Sequence, residues 1–175
     1  MNNSYSDQLS KSIVKTLNES IELNGKASLV VCGGNSPLLI YQKLSLADLD
    51  WNNVSIYLGD DRLLPSDHID SNENLLRKNL LINNAKSAKF HPLVQPRIDI
   101  KNIVLPFDIV LLGLGLDGHF ASLFPEQVKL SSAFSIDAEP DFVCSDIPLG
   151  SPSYKRISMN LALLLNTKRC ILLVT

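Results

Sequence analysis

Four short, continuously apolar runs constrain the fold of this chain more than any other feature: Ala27 to Cys32 (ASLVVC), Val54 to Leu58 (VSIYL), Phe107 to Leu112 (FDIVLL) and Cys170 to Thr175 (CILLVT). Runs of this length without polar alternation suit strands that are covered on both faces. The first and third end in glycines, Gly33-Gly34 and Gly113 with Gly115. Between the runs the period changes. Leu9, Ile13, Leu17 and Ile21 recur every four residues and predict an amphipathic helix that stops near Asn24-Gly25. A second helix is expected from Pro37, with Ser36 as its N-cap and the proline in the first turn. Ser71 to Leu81 reads as a third helix, with Ser71 or Asn72 near its cap, and Ile157 to Leu165 as a fourth. Phe142 to Ser145 adds a short strand, and Pro92 to Pro106 and Asp137 to Ser153 read as the long loops. Strands alternating with helices imply an α/β, three-layer architecture: a mostly parallel sheet with helices on both faces.

Composition narrows the class of protein. With 45% apolar and 19% charged side chains over 175 residues, the chain suits one globular domain, 1–175, and excludes a disordered one. Sixteen Lys and Arg against eighteen Asp and Glu, net charge -2, leave no basic field for a nucleic-acid backbone, so no nucleic-acid partner is expected. Met1 to Ser20 is polar, without the apolar core of a signal peptide. The longest apolar stretch, Ile103 to Leu116, is broken by Pro106 and Asp108, so no membrane span is expected. Cys32, Cys144 and Cys170 are odd in number, widely spaced and beside apolar segments, the pattern of reduced, buried thiols in a cytoplasmic protein. The last apolar run reaches the final residue with no polar tail, so the chain reads as shortened at its C-terminus.

In open parallel sheets ligands bind beyond the carboxyl ends of the strands. The loop after the first run, Gly33-Gly34-Asn35-Ser36-Pro37, can bring backbone N–H groups and a helix N-terminus to a phosphate, or can be a tight capped turn and nothing more. After the second run stands Gly59-Asp60-Asp61-Arg62, then Asp70-Ser71-Asn72. Arg62, held by a neighbouring carboxylate, can grip a phosphate or sugar oxygen, though a surface ion pair is the commoner role of such an arginine; helix capping explains Ser71 and Asn72 equally. After the third comes Gly113-Leu114-Gly115-Leu116-Asp117-Gly118-His119, continuing as Phe120-Ala121-Ser122-Leu123-Phe124-Pro125. His119 has the position and pKa range of a general base, with a carboxylate beside it to orient the ring. His68 and His91 read as ordinary loop residues, Trp51 as a packing residue, and Lys168 with Arg169 as a solvated turn. Arg156 can face the same pocket or neutralise a helix end. No Cys or His pair has metal-ligand spacing, and no metal is expected.

In order and spacing these segments resemble the 6-phosphogluconolactonase family. Gly33 to Pro37 is similar to its GGSTP loop, and Asp60-Asp61-Arg62 with Pro65 and Ser71-Asn72 to its DER, P and SN signature. Gly113 to Pro125 is similar to its GxGxDGHxASLFP block, the most specific of the motifs, and Pro148 with Arg156-Ile157-Ser158 to its P…RIT segment. Asp61 stands where the family has Glu, and Asn35-Ser36 where it has Ser-Thr. The family also continues past the last run with a glycine and a phosphate-binding lysine. The resemblance implies a Rossmann-like fold of the sugar-phosphate isomerase/deaminase kind. It implies hydrolysis of 6-phospho-D-glucono-1,5-lactone to 6-phosphogluconate in the oxidative pentose phosphate pathway, without a cofactor, by a monomer or weak homo-oligomer. His119 would be the base, oriented by Asp117 or Asp60, with Gly33, Gly34, Asn35, Ser36, Arg62, Asn72 and Arg156 on the substrate. Two alternatives share the fold. A glucosamine-6-phosphate deaminase continues its DGH loop in an IAFNEP-like way, unlike Phe120 to Pro125; a non-catalytic sugar-phosphate-binding module would keep the site without turnover.

Overall fold

The computed structural model describes residues 3–174; the ends of the polar N-terminal segment, Met1 and Asn2, and of the last apolar run, Thr175, lie outside them. The chain opens with helix α1 (Asn3–Asn24), whose Leu9, Ile13 and Leu17 are buried, as the four-residue period predicts. Gly25 ends it at φ +71, its N–H bonded to the Ile21 carbonyl, a conformation that costs glycine little. Strand β1 (Ala27–Val31) follows, then α2 (Leu38–Ser45), β2 (Val54–Leu58), β3 (Asp60–Arg62), α3 (Asn72–Asn79) and β4 (Lys89–His91). The remainder is β5 (Ile109–Gly113), α4 (Ser131–Phe134), β6 (Phe142–Cys144), β7 (Arg156–Met159), α5 (Leu161–Leu165) and β8 (Cys170–Leu173).

Five strands form one parallel sheet in the order β4-β2-β1-β5-β8. Side chains alternate across it, as the two-residue period of a strand requires. Leu29, Val31, Ile56, Leu58, Ile109 and Leu111 pack with the apolar faces of α1, α2 and α3. Val30, Tyr57, Val110 and Leu112 pack on the other face with Leu163 and Leu164 of α5 and with Met159. The expected three-layer α/β architecture is therefore the one observed, with apolar strands between two cores.

Several local expectations are corrected. Asp60 to Arg62 is not loop but a strand, and Ile157 to Met159, expected to open a helix, form with Arg156 its antiparallel partner; with β6 they make a second sheet, β3-β7-β6. A three-residue strand of charged side chains carries no apolar period to reveal it. The fourth helix is reduced to α5, started by Asn160, whose side chain accepts the Leu163 N–H at 2.9 Å. In α2 the capping position is Pro37, without a side-chain cap, because the chain first turns through residues 34–37. His91 lies on β4 rather than in a loop and stacks on Tyr57 at 4.5 Å. Cys32 is buried, but Cys144 and Cys170 are exposed because each lies on an edge strand. Lys168 and Arg169 are not a free solvated turn: Lys168 pairs with Asp108 at 2.7 Å, and Arg169 donates to Ser12 and Thr16 of α1. Trp51 packs in the core, as expected.

Candidate active site

From β1 the chain passes to β2 on one side of the sheet, and later returns to place β5 on the other. Loops leaving β1 and β5 thus diverge, the position where open α/β sheets bind ligands. The small sheet closes the gap from above: β3 continues from β2 past Gly59, whose carbonyl accepts the Met159 N–H of β7. The result is a cleft of ≈ 190 Å³ lined by Gly33, Gly34, Ser36, Asp60, Arg62, Asn72, His119 and Arg156, residues from five separate stretches of sequence. Cys32, Gly113, Leu114, Gly115 and Ala121 complete its walls. Of the residues expected at the site, Asn35 is exposed in the turn after β1, and Asp117 is exposed behind His119; neither lines the cleft.

His119 is held by its own loop. Its Nδ1 lies 2.5 Å from Asp117 Oδ1, and its carbonyl accepts the Gly115 N–H at 2.8 Å. The imidazole beside it keeps the Asp117 carboxyl below its usual range. Gly115 is required by packing rather than by torsion: a Cβ there would fall 2.4 Å from the His119 ring and 2.6 Å from Asp117 Oδ1. The ring also stacks on Phe124, with centroids 4.6 Å apart and planes 23° from parallel. Nδ1 is thus occupied by a carboxylate, the arrangement that leaves Nε2 to exchange a proton.

The two carboxylates after β2 do different work. Asp60 is buried, and its Oδ2 accepts the Ser122 hydroxyl at 2.5 Å; it makes no hydrogen bond to His119 among the described residues. Burial pushes its pKa up, while Ser122, Arg156 and Arg62 pull it back. Asp61 caps α3. Its oxygens accept the N–H groups of Arg62, Asn72 and Glu73 and the Ser71 hydroxyl, at 2.7 to 3.1 Å. Burial nevertheless pushes Asp61 up to about 6, against those N–H donors. Asn72 then turns inward: its Nδ2 donates to the Asp60 carbonyl at 2.9 Å. A Cβ on Gly33 would lie 1.9 Å from Asn72 Oδ1, so the glycine loop and the start of α3 meet backbone to side chain.

Two arginines supply the positive charge. Arg62 and Arg156 are register partners across β3 and β7, where like charges face one another at a cost unless an anion lies between them. Among the described residues no carboxylate pairs with the Arg62 guanidinium, contrary to expectation; its Nη1 donates to the Asp70 carbonyl and its buried Nε has no described partner. Arg156 is 5% exposed, with its Nε on the Leu149 carbonyl at 2.9 Å and Nη2 on that of Pro152 at 3.2 Å. Burial and the nearby Arg62 lower its pKa. A cleft with unneutralised guanidinium groups, a helix N-terminus and glycine N–H groups is suited to a phosphate. Sequence reasoning missed Ser122, Phe124 and Ala121. All three lie in the block that carries His119, but nothing in a single sequence shows that Ser122 bonds Asp60 or that Phe124 touches the imidazole. Ala121 lines the cleft at φ 49, a conformation rare for residues with a Cβ.

Residues 2–175 match the family described as glucosamine-6-phosphate isomerases/6-phosphogluconolactonase. The chain belongs to this family. Among its relatives, 6-phosphogluconolactonase of Caulobacter vibrioides is 31% identical over 97% of this chain and 77% of its own length. That of Helicobacter pylori J99 is 36% identical over 90% of this chain and 71% of its own. A crystal structure of a 6-phosphogluconolactonase from Shewanella baltica OS155 superposes with a TM-score of 0.85 at 35% identity, covering 97% of this chain and 76% of that one. The parallel sheet and its helices thus belong to the shared glucosamine-6-phosphate isomerase/6-phosphogluconolactonase framework. No described helix is long and apolar enough to cross a membrane, and no described group of His, Cys, Asp or Glu could hold a metal ion.

Proposed function

We propose that this protein is a 6-phosphogluconolactonase, hydrolysing 6-phospho-D-glucono-1,5-lactone to 6-phosphogluconate. The observation that carries the reading is the His119–Asp117 pair set at a cleft with two facing arginines. His119 Nε2 takes a proton from water as the water oxygen attacks the lactone carbonyl carbon. Charge then develops on the carbonyl oxygen, where glycine-loop N–H groups can donate; each such donor is typically worth about 3 kcal/mol of barrier. As the intermediate collapses, the bond from the carbonyl carbon to the ring oxygen breaks, and the imidazolium returns its proton to that oxygen. Asp117 fixes the ring through Nδ1. Asp60 braces the loop through Ser122. Arg62, Arg156, Asn72 and Gly33, Gly34 and Ser36 of the first loop hold the phosphate and ring oxygens. A lactone is electrophilic enough for a positioned base alone, so no covalent nucleophile is invoked. The same reading places the protein in the cytoplasm, as a monomer or weak homo-oligomer with no cofactor.

The test is acid release from freshly generated lactone, corrected for its spontaneous hydrolysis. The wild-type protein should exceed background clearly. His119→Ala should lose turnover on the order of a hundredfold or more, with binding of 6-phosphogluconate little changed. Equal turnover in the two proteins would sink the assignment of the base, and ammonia release from glucosamine 6-phosphate would redirect the reading to the deaminases.

A further inference from the structure

Phe124 lies outside the set of residues assigned to base or substrate, yet its ring meets both. It is 3% exposed and stacks on the His119 imidazole at 4.6 Å. The Arg156 guanidinium carbon lies 5.4 Å from the centroid of the same ring, within reach of a cation–π contact. Gly150, at φ +76, fits closely against this group: a Cβ there would be 2.6 Å from Arg156 Nη2 and 3.1 Å from Phe124 Cζ. The backbone around Phe124 is itself fixed, its N–H on the Gln127 side chain at 3.1 Å and its carbonyl accepting the Gln127 N–H at 2.8 Å.

We infer that Phe124 is a positioning residue that sets the imidazole plane of His119 and the guanidinium of Arg156 together, so that the base and the anion-binding cation share one rigid support. The Asp117 bond alone fixes only one ring atom, and the imidazole can still turn about that direction. A flat aromatic face against the ring removes this freedom, which aims Nε2 at the cleft. The ring's negative face also favours the cationic guanidinium. An aliphatic side chain of similar size would fill the volume without supplying the face.

This inference rests on the lactonase reading, so its test includes a measurement that needs no turnover. Phe124→Leu keeps an apolar plug and should melt within a few degrees of wild type. Its kcat should fall about tenfold to a hundredfold and its KM for the lactone rise severalfold. In proton NMR the His119 ring protons should lose the upfield shift that the Phe124 ring current produces. Gly150→Ala, which crowds Arg156 more closely than it crowds Phe124, should raise KM more than it lowers kcat. Phe124→Leu with wild-type kcat and KM would overturn the inference, as would unchanged His119 resonances. A wild-type protein without lactonase activity would instead refute the functional reading, while the His119 resonances would still report whether Phe124 orients the ring.

Discussion

At the residue scale the site depends on atoms that are absent. Gly33 and Gly115 lack the side chain that would otherwise strike Asn72 or the His119–Asp117 pair. Replacing Gly115 by alanine should therefore separate imidazole from carboxylate while leaving the fold in place, because the clash falls on a partly exposed loop. Turnover is expected to fall by an order of magnitude or more, with a melting temperature near that of wild type; full activity in Gly115→Ala would show that the loop absorbs the methyl group without cost to the pair. His119 and Arg62 stood out in the sequence because each follows an apolar run, but an ion pair for Arg62 and a helix end for Arg156 explained those arginines as well, and only the fold brings the three to one cleft. The partner of each was not legible in the sequence. Asp117 and Asp60 were equal candidates to orient the ring until the geometry put one at 2.5 Å and the other on Ser122.

Among the elements, α3 shows how a short helix is fixed to a site. Its first turn is pinned by Asp61, a carboxylate on the neighbouring strand, in addition to the Ser71 side chain that accepts the Asn74 N–H. The folded protein holds Asp61 at about 6, above its value of about 4 when unfolded. Between those values the folded state binds more protons than the unfolded state, so the contribution of Asp61 to stability is full below pH 4 and declines as pH rises through 6. A difference of this size corresponds to roughly 3 kcal/mol. Denaturant unfolding from pH 4 to pH 7 should show this negative slope, and Asp61→Asn should flatten it; an unchanged slope would assign the proton elsewhere. The main sheet was readable element by element because continuous apolar runs have few other uses. β3 and β7 were not, since they carry the polar cleft residues Asp60, Arg62 and Arg156 and so lack a continuous apolar run.

For the molecule as a whole, the base of the sheet is held by one carboxylate. Asp108 accepts from Ser20 of α1, from the Ser28 N–H and hydroxyl of β1, and from Lys168 in the turn before β8. Burial raises its pKa, but these donors outweigh it and hold the carboxyl below the usual range. The sign is opposite to that of Asp61: Asp108 stabilises the fold above pH 4, and that contribution is lost as pH falls through its lowered value. Asp108→Asn should destabilise the protein at neutral pH by about 1 to 3 kcal/mol and blunt its loss of stability in acid. A variant as stable as wild type at pH 7 would show that the amide serves as well as the charge. Architecture at this scale followed from the alternation of runs and helices, whereas the network joining them depends on distances between residues far apart in the chain.

The same central position of β1 has a consequence for how the chain assembles. Its neighbour β2 is supplied by the next crossover, but the bonds that tie Ser28 to Asp108, at the start of β5, span 80 residues. During synthesis from the N-terminus, half of the central strand must wait with its hydrogen-bonding edge open until that distant segment emerges. The entropy of closing so large a loop is met before any of the later contacts reward it, which places this protein among slow-folding parallel topologies and leaves a hydrophobic half-sheet exposed for the interval.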